Sequence, residues 1–188
     1  MKALTDDTAD IAPYIRGMIN TLLTRDRYAL FALLLSGGLL CGAWFFQYGL
    51  GYAPCTMCYW QRHAHKIVLG VSALTLIYSR VQTGGGRLTA PLNILIVLAL
   101  LGSAITALWH VGVEQGMLEG PKACAAGNVT VGGMSGQDLI DSFSKKIKPP
   151  ACSDVVWSFL GLSMAGWNAV FSVLGAGLGV LAMTRKKA

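Results

Sequence analysis

The stretch Tyr52-Ala53-Pro54-Cys55-Thr56-Met57-Cys58-Tyr59-Trp60-Gln61-Arg62 stands between two long apolar tracts, and its reading decides what kind of protein this is. Two cysteines separated by two residues can close a small disulfide loop or bind a metal as thiolates. Pro54 biases Ala53 toward extended backbone, so a helix is predicted to begin at the cysteines. Thiols at a helix N-terminus feel its partial positive charge and ionise more readily. Arg62 follows Cys58 by four residues. That is one turn on and on the same face, where its charge can stand beside a Cys58 thiolate. The expectation is a reactive dithiol at a membrane surface.

Composition supports the membrane. Of 188 residues, 54% are hydrophobic and 13% charged, and the mean hydropathy is +0.54. A soluble domain carries about a quarter charged residues. Here the charges are clustered and leave long uncharged tracts, as in an integral membrane protein. The net charge of +6 then reads as anchoring at the cytoplasmic face. No basic run interleaved with aromatics points to nucleic acid. Residues 1–27 are polar to amphipathic and carry Asp6, Asp7 and Asp10, unlike a cleavable signal peptide. Ile11, Tyr14, Ile15, Met18, Ile19 and Leu22 recur at helical spacing, which predicts a short interfacial helix.

The fold expected is an all-α integral membrane protein, a four-helix bundle within residues 28–183, followed by a basic cytoplasmic tail, 184–188. The spans are predicted at about 28–48, 59–78, 92–109 and 164–183. The second is unusual, because Arg62, His63, His65 and Lys66 occupy its first turns. Snorkelling to lipid phosphates accounts for His63 and Lys66, whereas Arg62, one turn from Cys58, reads as functional. Cys41, inside the first span, reads as inert packing. His110 falls at the polar end of the third span, with Glu114 one turn on. Outward loops 49–58 and 111–159 hold Cys55, Cys58, Cys124 and Cys152. In the longer loop, Ser135 can cap a short amphipathic helix bearing Leu139, Ile140, Phe143 and Ile147, stopped by Pro149 and Pro150.

Basic residues set the orientation. Lys2, Arg16, Arg25, Arg27, Arg80, Arg87, Arg185, Lys186 and Lys187 share one side of a four-span bundle. Long loops count weakly, so both termini are expected in the cytoplasm. The four loop cysteines then face an oxidising compartment, in a bacterium the periplasm, where disulfides persist. Four thiols could instead bind zinc. However, Cys124 and Cys152 are far apart and flank a predicted helix, unlike the close-spaced knuckles of such sites, so no metal is expected.

Several motifs resemble the disulfide bond formation protein B (DsbB) family. One is Pro54-Cys55-x-x-Cys58-x-x-x-Arg62 after a first span. A second is Trp109-His110-Val111-Gly112-Val113-Glu114-Gln115-Gly116. A third is Cys152 followed by Trp157-Ser158-Phe159-Leu160-Gly161-Leu162-Ser163-Met164. The likeness runs from Tyr28 to Met183; the longer N-terminal segment and Cys41 depart from it without touching the motif positions. It implies an inner-membrane oxidase that re-oxidises a soluble periplasmic thioredoxin-fold dithiol oxidase of the DsbA type and passes the electrons to a membrane quinone, ubiquinone or menaquinone. By the same resemblance Cys55 and Cys58 are the quinone-coupled pair, and Cys124 and Cys152 exchange with the partner. Cys124 forms the mixed disulfide, and Cys152 then exchanges with Cys55. Arg62 helps to hold the quinone, and His110 lies near it.

Energetics agree with a quinone acceptor. A DsbA-type partner sits near about −120 mV, so an acceptor like glutathione at about −240 mV would make transfer uphill by about 5.6 kcal/mol. Two other readings compete. A thiol oxidoreductase resembling the vitamin K epoxide reductase family would share the two-pair logic, but its Cys-x-x-Cys opens the last helix of the bundle rather than the second. A membrane scaffold stapled by disulfides would resist mild reductant and would not turn over with quinone.

Overall fold

The computed structural model describes residues 25–82, 87–124 and 151–184. The predicted interfacial helices near the N-terminus and around 135–148 lie outside the described residues. Four long helices make the body: α1, Arg25–Trp44; α2, Thr56–Val81; α3, Thr89–Glu114; and α4, Met164–Thr184. Each packs against the next in chain order, and α4 returns to touch α1. The fold is therefore the expected all-α membrane bundle.

Three of the helical segments, Arg27–Gly49, Thr89–Glu114 and Met164–Thr184, are long and apolar enough to cross a membrane. The α2 helix has 26 residues, or about 39 Å at 1.5 Å per residue, and its hydropathy is diluted by the polar first turns. The packing is inside-out relative to a soluble bundle. Leu34, Ile77, Ile105 and Leu174 point outward, while Ser36, His65, Ser72, Thr75, Ser103 and Ser172 are buried. Outward aliphatics cost nothing in lipid, and small polar residues let helices approach and bond to one another.

At one end Tyr28, Ala29 and Ala32 of α1 meet Val68 of α2, Ile96, Val97 and Leu100 of α3, and Ala176 and Ala182 of α4. Gly175 and Gly179 make this closeness possible. A Cβ at Gly175 would press on Leu35 and Leu100, and one at Gly179 would collide with Tyr28 and Val97.

At the other end the connections depart from simple loops. The first span closes in a π-helical turn, Phe45–Gly49. The α3 helix runs through His110 to Glu114, past the span end predicted at 109, because nothing from Trp109 to Val113 breaks helical hydrogen bonding. A 3-10 turn, Lys122–Cys124, follows. Before α4 the chain forms a two-stranded antiparallel hairpin, β1 (Ser158–Phe159) and β2 (Leu162–Ser163), in the register Ser158 to Ser163 and Phe159 to Leu162. Its turn residues Leu160 and Gly161 both have positive φ, 51° and 79°, as a tight two-residue hairpin turn requires.

Candidate active site

Cys55 is the N-cap of α2. Its backbone is extended (φ −79°, ψ 173°), and its sulfur accepts the Cys58 N–H at 3.2 Å. The helix starts where Pro54 allows, one residue inside the motif. The Cys55 and Cys58 sulfurs are 2.9 Å apart, with Cys55 donating. That hydrogen bond, above all, holds the Cys58 thiol down from 9.0 to about 7; the Cys55 backbone and the Arg62 charge help, while burial and Glu114 oppose. Cys55 is pushed strongly up by the same hydrogen bond, then by burial and the charge on Cys58. The pair shares one proton, and the thiolate rests on Cys58, the more open sulfur.

Cys124 and Cys152 are joined in a disulfide, with Cα atoms 5.3 Å apart across 28 residues. Cys152 is buried in a cluster with Cys55, Met57 and Val113, against which Cys58, Trp109 and Cys124 pack. The sulfurs of Cys55 and Cys152 and a ring nitrogen of His110 lie within 4.8 Å of one another. The four cysteines that the sequence reading singled out are thus brought to one place. Cys41 stands apart on α1, a free thiol on an exposed position.

His110 of α3 reaches Cys55 Sγ with Nε2 at 3.6 Å. One turn on, Glu114 approaches the same ring nitrogen at 3.9 Å and accepts the Ser163 hydroxyl at 2.5 Å, tying α3 to the hairpin. Arg62 does not reach toward lipid phosphate. Its guanidinium donates to Gln47 Oε1 and, at 3.1 Å, to the Ala43 carbonyl, and it lies 5.6 Å over the Tyr59 ring. These contacts lock the fork to the end of α1 while its charge acts on Cys58.

Beside Cys58 and Arg62 opens a cleft of about 470 Å³ between α1, α2 and α4. Its wall is a run of rings. Phe46 meets Trp157 at 5.0 Å, Trp157 stacks on Phe159 at 6.0 Å, Phe159 meets Trp167 at 6.3 Å, and Trp167 stacks on Phe171 at 5.7 Å. Polar groups converge at the other side, where Cys58, Gln61, Arg62, His65, His110 and Asn168 line it. A few converging polar groups in an apolar pocket of this size suit a flat, lipid-soluble ring with polar edges.

Sequence reasoning missed Gln61, His65, Asn168 and the aromatic wall. His65 turns into the bundle, bonded to Ser36 at 3.1 Å, Asn168 at 2.7 Å and Ser103 at 3.1 Å. The signal was present: Met57, Gln61, His65, Val68, Ser72 and Thr75 form one buried stripe at helical spacing. In a membrane helix, polar residues on one stripe face protein rather than lipid.

Chemically, a dithiol with one low-pKa member lies beside a cleft and within exchange reach of a second disulfide. Thiolate attack can pass a disulfide from one pair to the other. Cys55, His110 and Cys152 also bring three metal-ligand types together, but the Cys152 sulfur is engaged with Cys124 and offers no thiolate in this state.

Comparison with known proteins agrees with this chemistry. Residues 25–182 match the model of the family described as disulfide bond formation protein DsbB. The disulfide bond formation protein B of Aromatoleum aromaticum is 30% identical over 151 residues, covering 80% of this chain and 87% of that one. That of Marinobacter nauticus is 30% identical over 153 residues, 81% and 88%. That of Shewanella frigidimarina is 32% identical over 157 residues, 80% and 86%. No solved structure matches the chain.

Proposed function

The chain belongs to the disulfide bond formation protein B family, a family of membrane thiol oxidoreductases, and from that premise we propose that it re-oxidises a periplasmic thioredoxin-fold dithiol oxidase of the DsbA type and delivers the electrons to a membrane quinone. The observation that carries this reading is the gathering of Cys55, Cys58, Cys124 and Cys152 at one end of the bundle, with Cys55 and Cys152 within 4.8 Å of each other through the His110 cluster. Both termini lie in the cytoplasm in this reading, and the cysteines face the periplasm. The transmembrane boundaries are those predicted, about 28–48, 59–78, 92–109 and 164–183.

The roles are those the family likeness implies, and exposure and proximity support them. Cys124 is the more accessible half of its disulfide, since Cys152 is buried. Once Cys55 and Cys58 have been oxidised to a disulfide, a thiolate from the soluble partner attacks Cys124 and releases Cys152, which attacks Cys55, breaks the Cys55–Cys58 bond and displaces Cys58 as a thiolate. Cys58 is suited to leave, because the Arg62 charge and the Cys55 backbone stabilise its thiolate even when the Cys55 sulfur is bonded to Cys152, and a lower-pKa thiol leaves faster.

The cleft fits a quinone. Its aromatic wall offers stacking, and Arg62 presents a charged fork at the polar side. A quinone bound there supplies the oxidising power, accepting two electrons and two protons. The protein's part is to hold the Cys58 thiolate against the cleft, to aim Arg62 through Gln47 and Ala43, and to exclude water with Phe46, Trp157 and Phe159.

The test is direct. Purified protein receives a reduced DsbA-type partner and a short-chain quinone, and quinone absorbance and partner thiols are followed together. One quinone should be consumed per partner disulfide formed. Partner oxidation at an unchanged rate without quinone under anaerobic conditions would overturn the acceptor, and no partner oxidation would overturn the reading as a whole.

A further inference from the structure

Five polar side chains continue inward from the reacting sulfurs. Cys55 Sγ is 3.6 Å from His110 Nε2. His110 Nδ1 is 3.1 Å from Gln61 Nε2. Gln61 Oε1 accepts from Asn168 Nδ2 at 2.7 Å. Asn168 Oδ1 is 2.7 Å from His65 Nε2, and His65 Nδ1 is 3.1 Å from Ser36 Oγ. Ser103 and Ser172 brace Asn168 from α3 and α4 at 3.3 Å each. Gln61, His65, Ser36 and His110 are all more than nine-tenths buried.

The chain has a direction. An amide nitrogen can only donate and an amide oxygen can only accept. Gln61 Nε2 therefore donates to His110 Nδ1, so a neutral His110 carries its hydrogen on Nε2, facing Cys55. Asn168 Oδ1 likewise fixes the hydrogen of His65 on Nε2, leaving Nδ1 to accept from Ser36. Every link points the same way, toward the sulfur. Hydrogen bonds among Ser, Asn and Gln are ordinary between membrane helices, but two ionisable rings, His65 and His110, buried in one directed chain mark function by default.

We infer that this buried chain is a positioning array: Gln61, Asn168 and His65 hold His110 in the tautomer whose Nε2–H faces the Cys55 sulfur, making His110 a hydrogen-bond donor to the Cys55 thiolate rather than its base. The inference rests on the reading of Cys55 and Cys58 as the reacting pair. Closing their disulfide requires Cys55 to attack Cys58 as a thiolate while the electron pair of the Cys58 sulfur leaves to the acceptor. Overall, a Cys55 thiol, a Cys58 thiolate, one quinone and one proton become a disulfide and a quinol. The Cys55 proton and the added proton end on the two quinol oxygens. Cys55 is the sulfur that both Cys58 and Cys152 approach; Cys58, Arg62, Glu114, Asp154 and Tyr52 are the other ionisable groups around it and His110, Cys152 being held in its disulfide. His110 adds a side-chain N–H donor to a buried sulfur that already accepts from the Cys58 and Met57 amides, and the Cys152 backbone lies within reach of the same ring.

The experiment uses the full chain in detergent, reduced and labelled with ¹⁵N-histidine, with His110 assigned from its loss in His110→Gln. The wild type should show His110 protonated at Nε2 and bare at Nδ1. A hydrogen on Nδ1 overturns the inference, whatever any variant does. His65→Leu should mix the His110 tautomers and slow alkylation of Cys55 about tenfold, the worth of one hydrogen bond to a charged group. His65→Gln, which keeps an N–H for Asn168, should restore both. Wild-type behaviour of His65→Leu, or equal slowing in both variants with no change at His110, would reduce the array to packing. If His65→Leu fails to fold, the wild-type spectrum still decides. Neither readout needs quinone or partner, so failure of quinone turnover would leave this result standing on its own.

Discussion

Removing Arg62 should reveal itself most clearly through pH. The guanidinium is one of four influences lowering or raising Cys58 beyond its Cys55 hydrogen bond, and that hydrogen bond is the largest. With Arg62→Ala the Cys58 thiol therefore moves up from about 7 toward its ordinary 9.0 without reaching it. At pH 7 about half of Cys58 is thiolate in the wild type. Any rise in the midpoint lowers that fraction, and a rise of one pH unit would lower it about fivefold. The sign is fixed, because only the thiolate reacts: the deficit is largest below pH 7, shrinks as pH rises, and closes above about 9. Arg62→Lys keeps the charge but loses the fork to Gln47 and Ala43, and should fall between. The assay is the rate of Cys58 alkylation against pH in the reduced protein, paired with the apparent Michaelis constant for quinone. An unshifted midpoint in Arg62→Ala, with an unchanged constant, would refute the role of Arg62 and leave it a structural tie between α1 and α2.

Other outcomes are equally open to measurement. Cys124→Ser should abolish oxidation of the soluble partner while Cys55 and Cys58, reduced by a small dithiol, still reduce quinone; full partner turnover would reverse the assignment. Cys41→Ala should leave turnover and folded yield nearly unchanged, since the thiol lies outside the cysteine cluster, and lost activity in well-folded protein would contradict this. Gly179→Ala should destabilise by about 1–3 kcal/mol through collision with Tyr28 and Val97. Gly42→Ala, which meets nothing, should instead gain up to about 1 kcal/mol. Thermal unfolding in detergent compares the two, and equal midpoints would mean the helices shift apart freely.

Much of the bundle was legible because the membrane writes in long apolar runs. The motif cysteines and Arg62 stand at fixed helical offsets, so their local geometry could be read without a fold. The inward turn of His65 could not, because a polar residue near a span end has two low-energy homes, the headgroups or a partner helix. Asn168, a hundred residues later, decides between them. The hairpin Ser158–Ser163 was hidden for a different reason. Its turn depends on Leu160 at positive φ, a conformation that leucine does not advertise. The pairing of Cys124 with Cys152 came from family likeness, since spacing alone leaves several pairings open.

The π-helical turn at Phe45–Gly49 makes this corner of the protein intolerant of a change in length. Loops absorb insertions and deletions at the surface, but here one residue sets an angular phase. Deleting a residue would restore α-helical winding and rotate everything beyond it by about 100°. Gln47 would swing off Arg62, and Phe46 off Trp157. A one-residue deletion in this turn should therefore be far more damaging than a conservative substitution at any single position within it.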